Sequence, residues 1–203
     1  MLGGQLRAIS LKDFRERMRV LAEELTRGGD PRIVLDRGLT VAIMISFKEA
    51  DTYARAEQGL AMLRGAGIYV EAAEGLDQLP EIVRGSQRVP ESAKRTLNRL
   101  TRPIIGYLTT IVSITALRSD METYMAKVSR LGYVVTIAGR DTYAATLIGT
   151  TEFERLRALR PILGWFRSQG LDLSSAETEN VDAFVKSFRD EAQSGAGTHI
   201  ASA

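Results

Sequence analysis

Apolar residues recur with a helical period near the start of the chain. They stand at spacings of three, four and seven residues and are Phe14, Met18, Leu21, Ala22 and Leu25. This spacing places them on one face of an α-helix. Ser10, with Asp13 three residues later, predicts the N-terminal cap of that helix, and Gly28-Gly29 predicts its end.

The pattern then changes to one typical of β-strands. Residues 32–35 and 40–45 are rich in β-branched and apolar side chains, and Asp36-Arg37-Gly38 joins them. A glycine-containing turn between two such runs predicts a β-hairpin. A short strand over residues 6–9 precedes the first helix, and a last helix is expected to begin near Phe47.

The same order of patterns returns when the chain is shifted by 103 residues, without a gap. Internal repeats of this kind indicate a duplicated structural unit. The identical pairs include Ser10 with Ser113, Arg15 with Arg118, Met18 with Met121, Gly29 with Gly132, Arg37 with Arg140, Ala42 with Ala145 and Ile45 with Ile148.

The second copy predicts the same elements with small changes. Its strands are expected over residues 107–112, 134–137 and 143–148, with a turn over 138–141. Its helical stripe consists of Leu117, Met121, Tyr124, Met125 and Val128. Thr115 is expected to cap this helix, and Pro161 is expected to break or restart the final helix, which begins near Glu152.

Each copy is therefore expected to be a β-α-β-β-α unit of about 60 residues, a size that is marginal on its own. The predicted fold class is α/β (α+β), with two tandem units forming a pseudo-dimer and with connecting and C-terminal helices. The expected domains are 1–70 and 105–170 for the two units, 71–104 for a basic helical connector, and 171–203 for an acidic helix with a disordered tail.

Composition narrows the classes of function. The chain has 203 residues, no cysteine and a single histidine, His199. Disulfides, thiolate metal sites and histidine-based catalysis are thereby disfavoured, and no phosphate-binding glycine loop is present. We therefore expect a non-enzymatic protein without cofactor or metal. The apolar run 104–117 is too short to span a membrane, and no signal peptide opens the chain, so a cytoplasmic location is expected.

Charge is distributed unevenly along the chain. Its net value is only +2. Six basic residues and one acid lie between positions 84 and 102, whereas six acids and two basic residues lie between 172 and 191. The basic segment, with Arg95 and Arg99 on one predicted helical face, either bridges the copies or contacts DNA. Both charge runs are also compatible with ordinary solvated surfaces.

The first copy resembles the Phd/YefM antitoxin family over residues 9–54. The similarity lies in the Ile9-Ser10 entry, Arg15 followed by Met18, the Arg37-Gly38 turn and the Val41-Ala42 exit. The second copy repeats it through Arg118, Met121, Gly132, Arg140 and Ala145. The family usually has a second basic residue and a proline at the hairpin, which this chain lacks, and it usually has one unit per chain.

The resemblance implies a dimer that binds operator DNA through its N-terminal domain and neutralises a toxin protein through a C-terminal extension, here residues 171–203. The predicted DNA contacts are Arg15, Arg37, Arg118 and Arg140, with Arg95 and Arg99 of the basic segment as further candidates. Lys12, Arg17 and Arg19 would widen the patch, although the second copy does not keep them. Arginines at a helix start and a hairpin tip can reach phosphates or guanine edges. The alternative is that these arginines solubilise turns or pair with nearby acids.

One stripe in the acidic region leaves two interpretations open. Val181, Phe184, Val185 and Phe188 share a helical face. They either bind a partner protein or pack into a core.

The favoured function is that of an antitoxin-type repressor that binds specific sequences of double-stranded DNA. The alternative is a scaffold that binds a partner protein without DNA. The sequence does not decide whether two chains pair into a homodimer.

Overall fold

The computed structural model describes residues 6–70, 76–84, 109–139 and 143–193. The first half contains β1 (Arg7–Ser10), α1 (Leu11–Thr26), β2 (Arg32–Asp36), β3 (Leu39–Ser46), α2 (Phe47–Gly65), a 3₁₀ turn (Leu76–Gln78) and α3 (Leu79–Arg84). The second half contains β4 (Thr109–Ser113), α4 (Ile114–Ser119), α5 (Met121–Leu131), β5 (Val134–Ala138), β6 (Tyr143–Ile148), α6 (Thr150–Ser168) and α7 (Thr178–Gln193).

Among the described residues, six strands form one mixed sheet in the order β1-β2-β3-β6-β5-β4. The outer pairs β1–β2 and β4–β5 are parallel, and the pairs β2–β3, β5–β6 and β3–β6 are antiparallel. The mixed α/β class predicted from the sequence is thereby confirmed. Each half contributes one parallel pair and one hairpin, and the two hairpins meet at the centre.

The central pairing is symmetric with respect to the sequence repeat. Met44 lies opposite Leu147, which is its counterpart after the shift of 103 residues. Ile43 lies opposite Ile148, and Ile45 lies opposite Thr146, so the register is the same when the copies are exchanged. An approximate twofold axis therefore passes between Met44 and Leu147 at the centre of the sheet.

The first helix forms as its pattern predicts. All five residues of its apolar stripe are buried. The Ser10 side chain accepts a hydrogen bond of 3.0 Å from the Asp13 backbone N–H, which satisfies one of the free donors at the helix start. The helix ends at Thr26, and its C-cap Arg27 precedes the glycine pair.

The second copy departs from the prediction at two points in its first helix. Ser113, not Thr115, is the N-cap, and its side chain accepts from the Ala116 N–H at 3.1 Å. The helix is also divided into α4 and α5 at Asp120. The corresponding residues of α1 are Glu16 and Arg17, which are better helix formers than the Ser119-Asp120 pair.

Pro161 does not break the last helix, contrary to expectation. It lies inside α6, which continues from Thr150 to Ser168. Proline removes one helical hydrogen bond, yet Leu156 before it and Phe166 after it are both buried. Tertiary packing on both sides of the proline therefore keeps the chain helical.

The two copies share one core. The cluster contains residues of α1, β2 and β3 together with residues of α4, α5, β5 and β6. α1 contacts β6 as well as its own strands, and α5 contacts β3 as well as its own. Each of these helices therefore covers strands of both copies, and neither copy encloses a core alone.

The chain divides into two compact units that do not follow the expected domain boundaries. The sheet unit comprises residues 1–54 and 103–159, and a second unit comprises residues 55–102 and 160–203. Each copy thus contributes its strands and first helices to one unit and the rest of its last helix to the other. The expected connector helix and terminal tail fall largely outside the described residues.

The second unit is helical and contains the apolar stripe for which the sequence left partner binding and core packing open. Val181, Val185 and Phe188 are buried, and Phe184 is half-buried. The rings of Phe184 and Phe188 lie 5.1 Å apart, and Phe166 packs on Phe184 at 5.8 Å. Of the two interpretations of this stripe, its burial therefore favours core packing, because its side chains form the core of their own unit.

In this second unit the repeat also appears in the backbone. Ile68 N–H donates to Leu63 O at 2.9 Å, and Leu171 N–H donates to Phe166 O at 2.9 Å. Gly67 and Gly170, which precede the two donors, have φ of 84° and 89°. This is the Schellman arrangement, which ends a helix at a left-handed glycine.

Among the residues that the structure describes, no helix is both long and apolar enough to cross a bilayer.

Candidate nucleic-acid interface

Arg15 and Arg118 are equivalent in the repeat and meet at the contact between α1 and α4. Arg15 Nη2 donates a hydrogen bond of 2.9 Å to the carbonyl oxygen of Arg118. In return, Arg118 Nε donates to the carbonyl oxygen of Arg15 at 3.0 Å, and Arg118 Nη2 donates to that of Glu16 at 3.2 Å. This exchange between equivalent residues is what a twofold axis at this point requires.

These bonds leave most of the guanidinium donors free. An arginine has five N–H donors, of which Arg15 uses one and Arg118 two in the bonds above. Arg15 is exposed and Arg118 is half-buried. Neither forms a salt bridge with a carboxylate among the described residues. Two cations are thus held close together without an ion-paired carboxylate in the described part of the chain, a combination that favours an anion.

Lys12 and Arg19 extend this positive charge along α1. At 3.6 residues per turn, Lys12, Arg15 and Arg19 fall within about 60° of one another around the helix. Both flanking residues are exposed, and neither makes an ion pair with any residue that the structure describes. The sequence predicts both Lys12 and Arg19 in this patch, and the helical geometry places them on the same face as Arg15.

Arg37 lies at the tip of the first hairpin. It is exposed and has φ of 50°, followed by Gly38 with φ of 82°. Two successive residues with positive φ are the requirement of a type I′ turn. Because Ser10 pairs with Leu35, the tip lies at the same end of the sheet as the start of α1. Arg37 and Lys12 are therefore placed at one end of the first copy.

A polar cleft of about 370 Å³ lies beside this patch, along the outer edge of the sheet. Arg32 donates to Glu24 at 2.9 Å within it, and Arg17 approaches the same carboxylate at 3.9 Å. Arg7 lies 3.9 Å from Asp30. The arginines of this edge are balanced by acids, so the cleft is a weaker anion site than the face of α1.

The remaining predicted DNA contacts lie outside the described residues. They are Arg95, Arg99 and Arg140. Their contact with DNA stays a prediction, and so does the position of Arg140 at the tip of the second hairpin.

The helical unit carries a different surface, an open groove of about 600 Å³ beside α7. Asn180, Ala183 and Ser187 lie on its helical wall, with Asp172 and Ser175 opposite. The hydrogen bond from the Ser174 side chain lowers the pKa of Asp172, burial opposes it, and a hydrogen bond and the charge of the Arg167 guanidinium lower the pKa further. The groove therefore has an ionised carboxylate at its edge at neutral pH.

No cluster of acidic, histidine or cysteine side chains suited to a metal ion occurs in the described part of the chain. Comparison of the chain with protein-family models, with curated proteins and with solved structures found no match.

Proposed function

We propose that the chain is a sequence-specific DNA-binding protein, a transcriptional repressor of the Phd/YefM antitoxin type whose two copies act as a covalent pseudo-dimer. Several observations support this proposal: the β-α-β-β-α order of the first half, its repetition in the second half with the first helix divided, the symmetric β3–β6 pairing and the shared core. A protein with twofold symmetry matches the local twofold symmetry of a palindromic duplex site.

The observation that carries the proposal is the paired arginines at the axis. Arg15 and Arg118 fix each other's position through backbone carbonyls and keep further donors for solvent. Duplex DNA offers closely spaced phosphates, and arginine binds phosphate through two parallel N–H groups. A phosphate backbone crossing the axis would satisfy both side chains and relieve their repulsion.

The neighbouring charges extend this contact. Lys12 and Arg19 lie on the same face of α1, and Arg37 lies at the adjacent hairpin tip. At about 3.3 Å per residue, Gly38 lies about 20 Å along β3 from Met44 at the axis. Contacts at the axis and at the tip would therefore engage phosphates well separated along the duplex, and they would fix the register before any base is read.

The test is selection from a random duplex pool, followed by salt titration of the enriched sites. Arg15→Ala/Arg118→Ala should weaken binding and flatten the dependence of log K on log salt by about 2, since each lost phosphate contact contributes about 0.9. Arg37→Asn removes a charge while tolerating positive φ, so it should reduce the slope by about 1 without unfolding the turn.

Arg15→Lys/Arg118→Lys is the matched control, because it keeps both charges but loses the planar donor fork. It should retain the salt slope better than the alanine pair. Thermal unfolding of each variant separates lost contacts from lost structure. A folded native chain that binds no duplex even at low salt would overturn the proposal.

A second candidate is a scaffold that binds a partner protein. The observation favouring it is the groove beside α7, next to the exposed acids Glu179 and Asp182. Because the apolar stripe of α7 is buried, a toxin or other partner would contact this outer face. Ala183→Arg, which fills the groove, should abolish complex formation with such a partner and leave DNA binding unchanged.

A further inference from the structure

The outer faces of the two first helices differ in charge although their positions are equivalent. On the first copy this face carries three basic residues and one acid; on the second it carries one basic residue and one acid. The equivalent pairs are Lys12 with Thr115, Arg15 with Arg118, Glu16 with Ser119 and Arg19 with Glu122. Only the arginine at the axis is kept.

These differences lie on accessible surface. Lys12 and Arg19 are exposed on the first copy, and Thr115 and Glu122 are exposed on the second. In the sequence repeat, the exposed carboxylate of Glu122 therefore replaces the exposed guanidinium of Arg19. A phosphate backbone near both positions would be attracted by one copy and repelled by the other.

The central strand pairing does not create this charge difference. β3 and β6 pair symmetrically about Met44 and Leu147, and the arginine exchange is reciprocal. A duplex centred on the axis would therefore meet Arg15 and Arg118 at comparable positions. Beyond Arg118 the second copy also differs in backbone, because its first helix is divided at Asp120 and Glu122 lies on the separate helix α5.

We infer that the chain binds a duplex asymmetrically, with the first helix of the first copy supplying most of the helical phosphate contacts and the equivalent helices of the second copy supplying little beyond Arg118. This inference rests on the proposed DNA binding. It predicts an operator with one strongly held half-site and one weak half-site, in contrast to the symmetric site of a homodimer, whose two copies are identical.

The repeat supplies its own substitutions for a test. Lys12→Thr/Arg19→Glu gives the first copy the residues of the second, and Thr115→Lys/Glu122→Arg does the reverse. The first pair should weaken binding to the selected duplex at least tenfold and reduce the salt slope by about 2. The second pair should tighten binding, raise the slope by about 2 and extend chemical protection of the phosphates to both half-sites.

Lys48→Thr/Arg160→Glu makes the same chemical changes at exposed positions of α2 and α6 and is the control for net charge. It should leave the slope nearly unchanged. Thermal unfolding of each variant checks that the fold is kept.

The outcomes distinguish the two proposals. A native chain that binds no duplex at low salt overturns the proposed function and this inference together. A native chain that binds, but protects both half-sites equally, overturns the inference alone. The inference is also overturned if the control pair weakens binding as much as Lys12→Thr/Arg19→Glu does.

Discussion

The two copies of the repeat agree where they touch each other and differ where they face solvent. Phe14 and Leu117 are equivalent, and both are fully buried, as are the equivalent residues Met44 and Leu147. On the outside, Arg19 corresponds to Glu122 and Arg17 to Asp120. The shared core accounts for this difference, because each copy's core residues pack against the strands of the other.

The first helix is continuous in the first copy and divided in the second, yet both cross the centre of the sheet. α1 covers β6, and α5 covers β3, so both must cross the centre of the sheet. The second copy makes the same crossing in two segments, with Asp120 serving as the C-cap of α4 and preceding α5. The position of the helix is therefore the same in both copies even where its continuity is not.

The largest expected effect follows from the shared core. Phe14→Ala should lower the free energy of unfolding by about 3–5 kcal/mol, and Leu117→Ala should lower it by about 2–5 kcal/mol. Each substitution leaves a cavity at a fully buried position. Since both side chains belong to one cluster, urea unfolding followed by circular dichroism should show one transition moving in both variants. If only half of the circular dichroism change shifted to lower urea concentration in a variant, the copies would unfold independently.

A smaller effect is expected at Gly59, whose counterpart in the second copy is Ile162. A Cβ at Gly59 would lie 2.5 Å from the carbonyl oxygen of Leu173, closer than packing allows. Gly59→Ala should therefore destabilise the helical unit by about 1–3 kcal/mol, although alanine favours helices. The fluorescence of Trp165, the single tryptophan, reports on this unit.

Gly65→Ala is the matched control on the same helix, because a Cβ there meets nothing within 4 Å. It should be close to neutral. Equal destabilisation by the two substitutions would contradict the close approach at Gly59.

The two N-caps test the copies at their most similar point. Ser10→Ala and Ser113→Ala should each cost about 1 kcal/mol, because each removes the acceptor for a backbone N–H in the first helical turn. Ser10 also donates to the Asp13 carboxylate at 2.6 Å, whereas the second copy has Ala116 at that position. Asp13→Ala should therefore lessen the cost of Ser10→Ala in a double-mutant cycle. Additive costs would show that this carboxylate contact contributes nothing.

The pattern of apolar residues along the chain was sufficient to predict the helices and strands of the sheet unit. The period of the stripe from Phe14 to Leu25 predicted the buried face of α1, because burial on one side of a helix repeats every 3.6 residues. The repeat predicted two equal halves. It did not predict that Arg15 and Arg118 would bond to each other, since that requires the position of the axis, which only the β3–β6 register defines.

The helical unit was predicted less well. Its core joins Trp165 and Phe166 of α6 to Phe184 and Phe188 of α7, and these rings are separated along the chain by a loop. The period of α7 identified its apolar face but not what covers that face. Pro161 was misjudged for the same reason, because burial on both sides of it is a tertiary effect that overrides the local preference.

The smallest expected effect concerns Asp172, which replaces Tyr69 of the first copy. Ser174 and Arg167 donate to its carboxylate at 2.6 Å and 3.1 Å, and they lower its pKa below the usual 3.8. A lowered folded-state pKa stabilises the protein above pH 3.8, and this contribution is lost as the pH falls through the folded-state value.

Asp172→Asn should therefore lower the free energy of unfolding by less than about 1 kcal/mol at pH 7, since the pair of Arg167 and Asp172 is partly exposed. The difference from the native chain should shrink below pH 3.8 when urea unfolding is followed by Trp165 fluorescence. A difference independent of pH would mean that the Asn substitution acts through shape and not through charge.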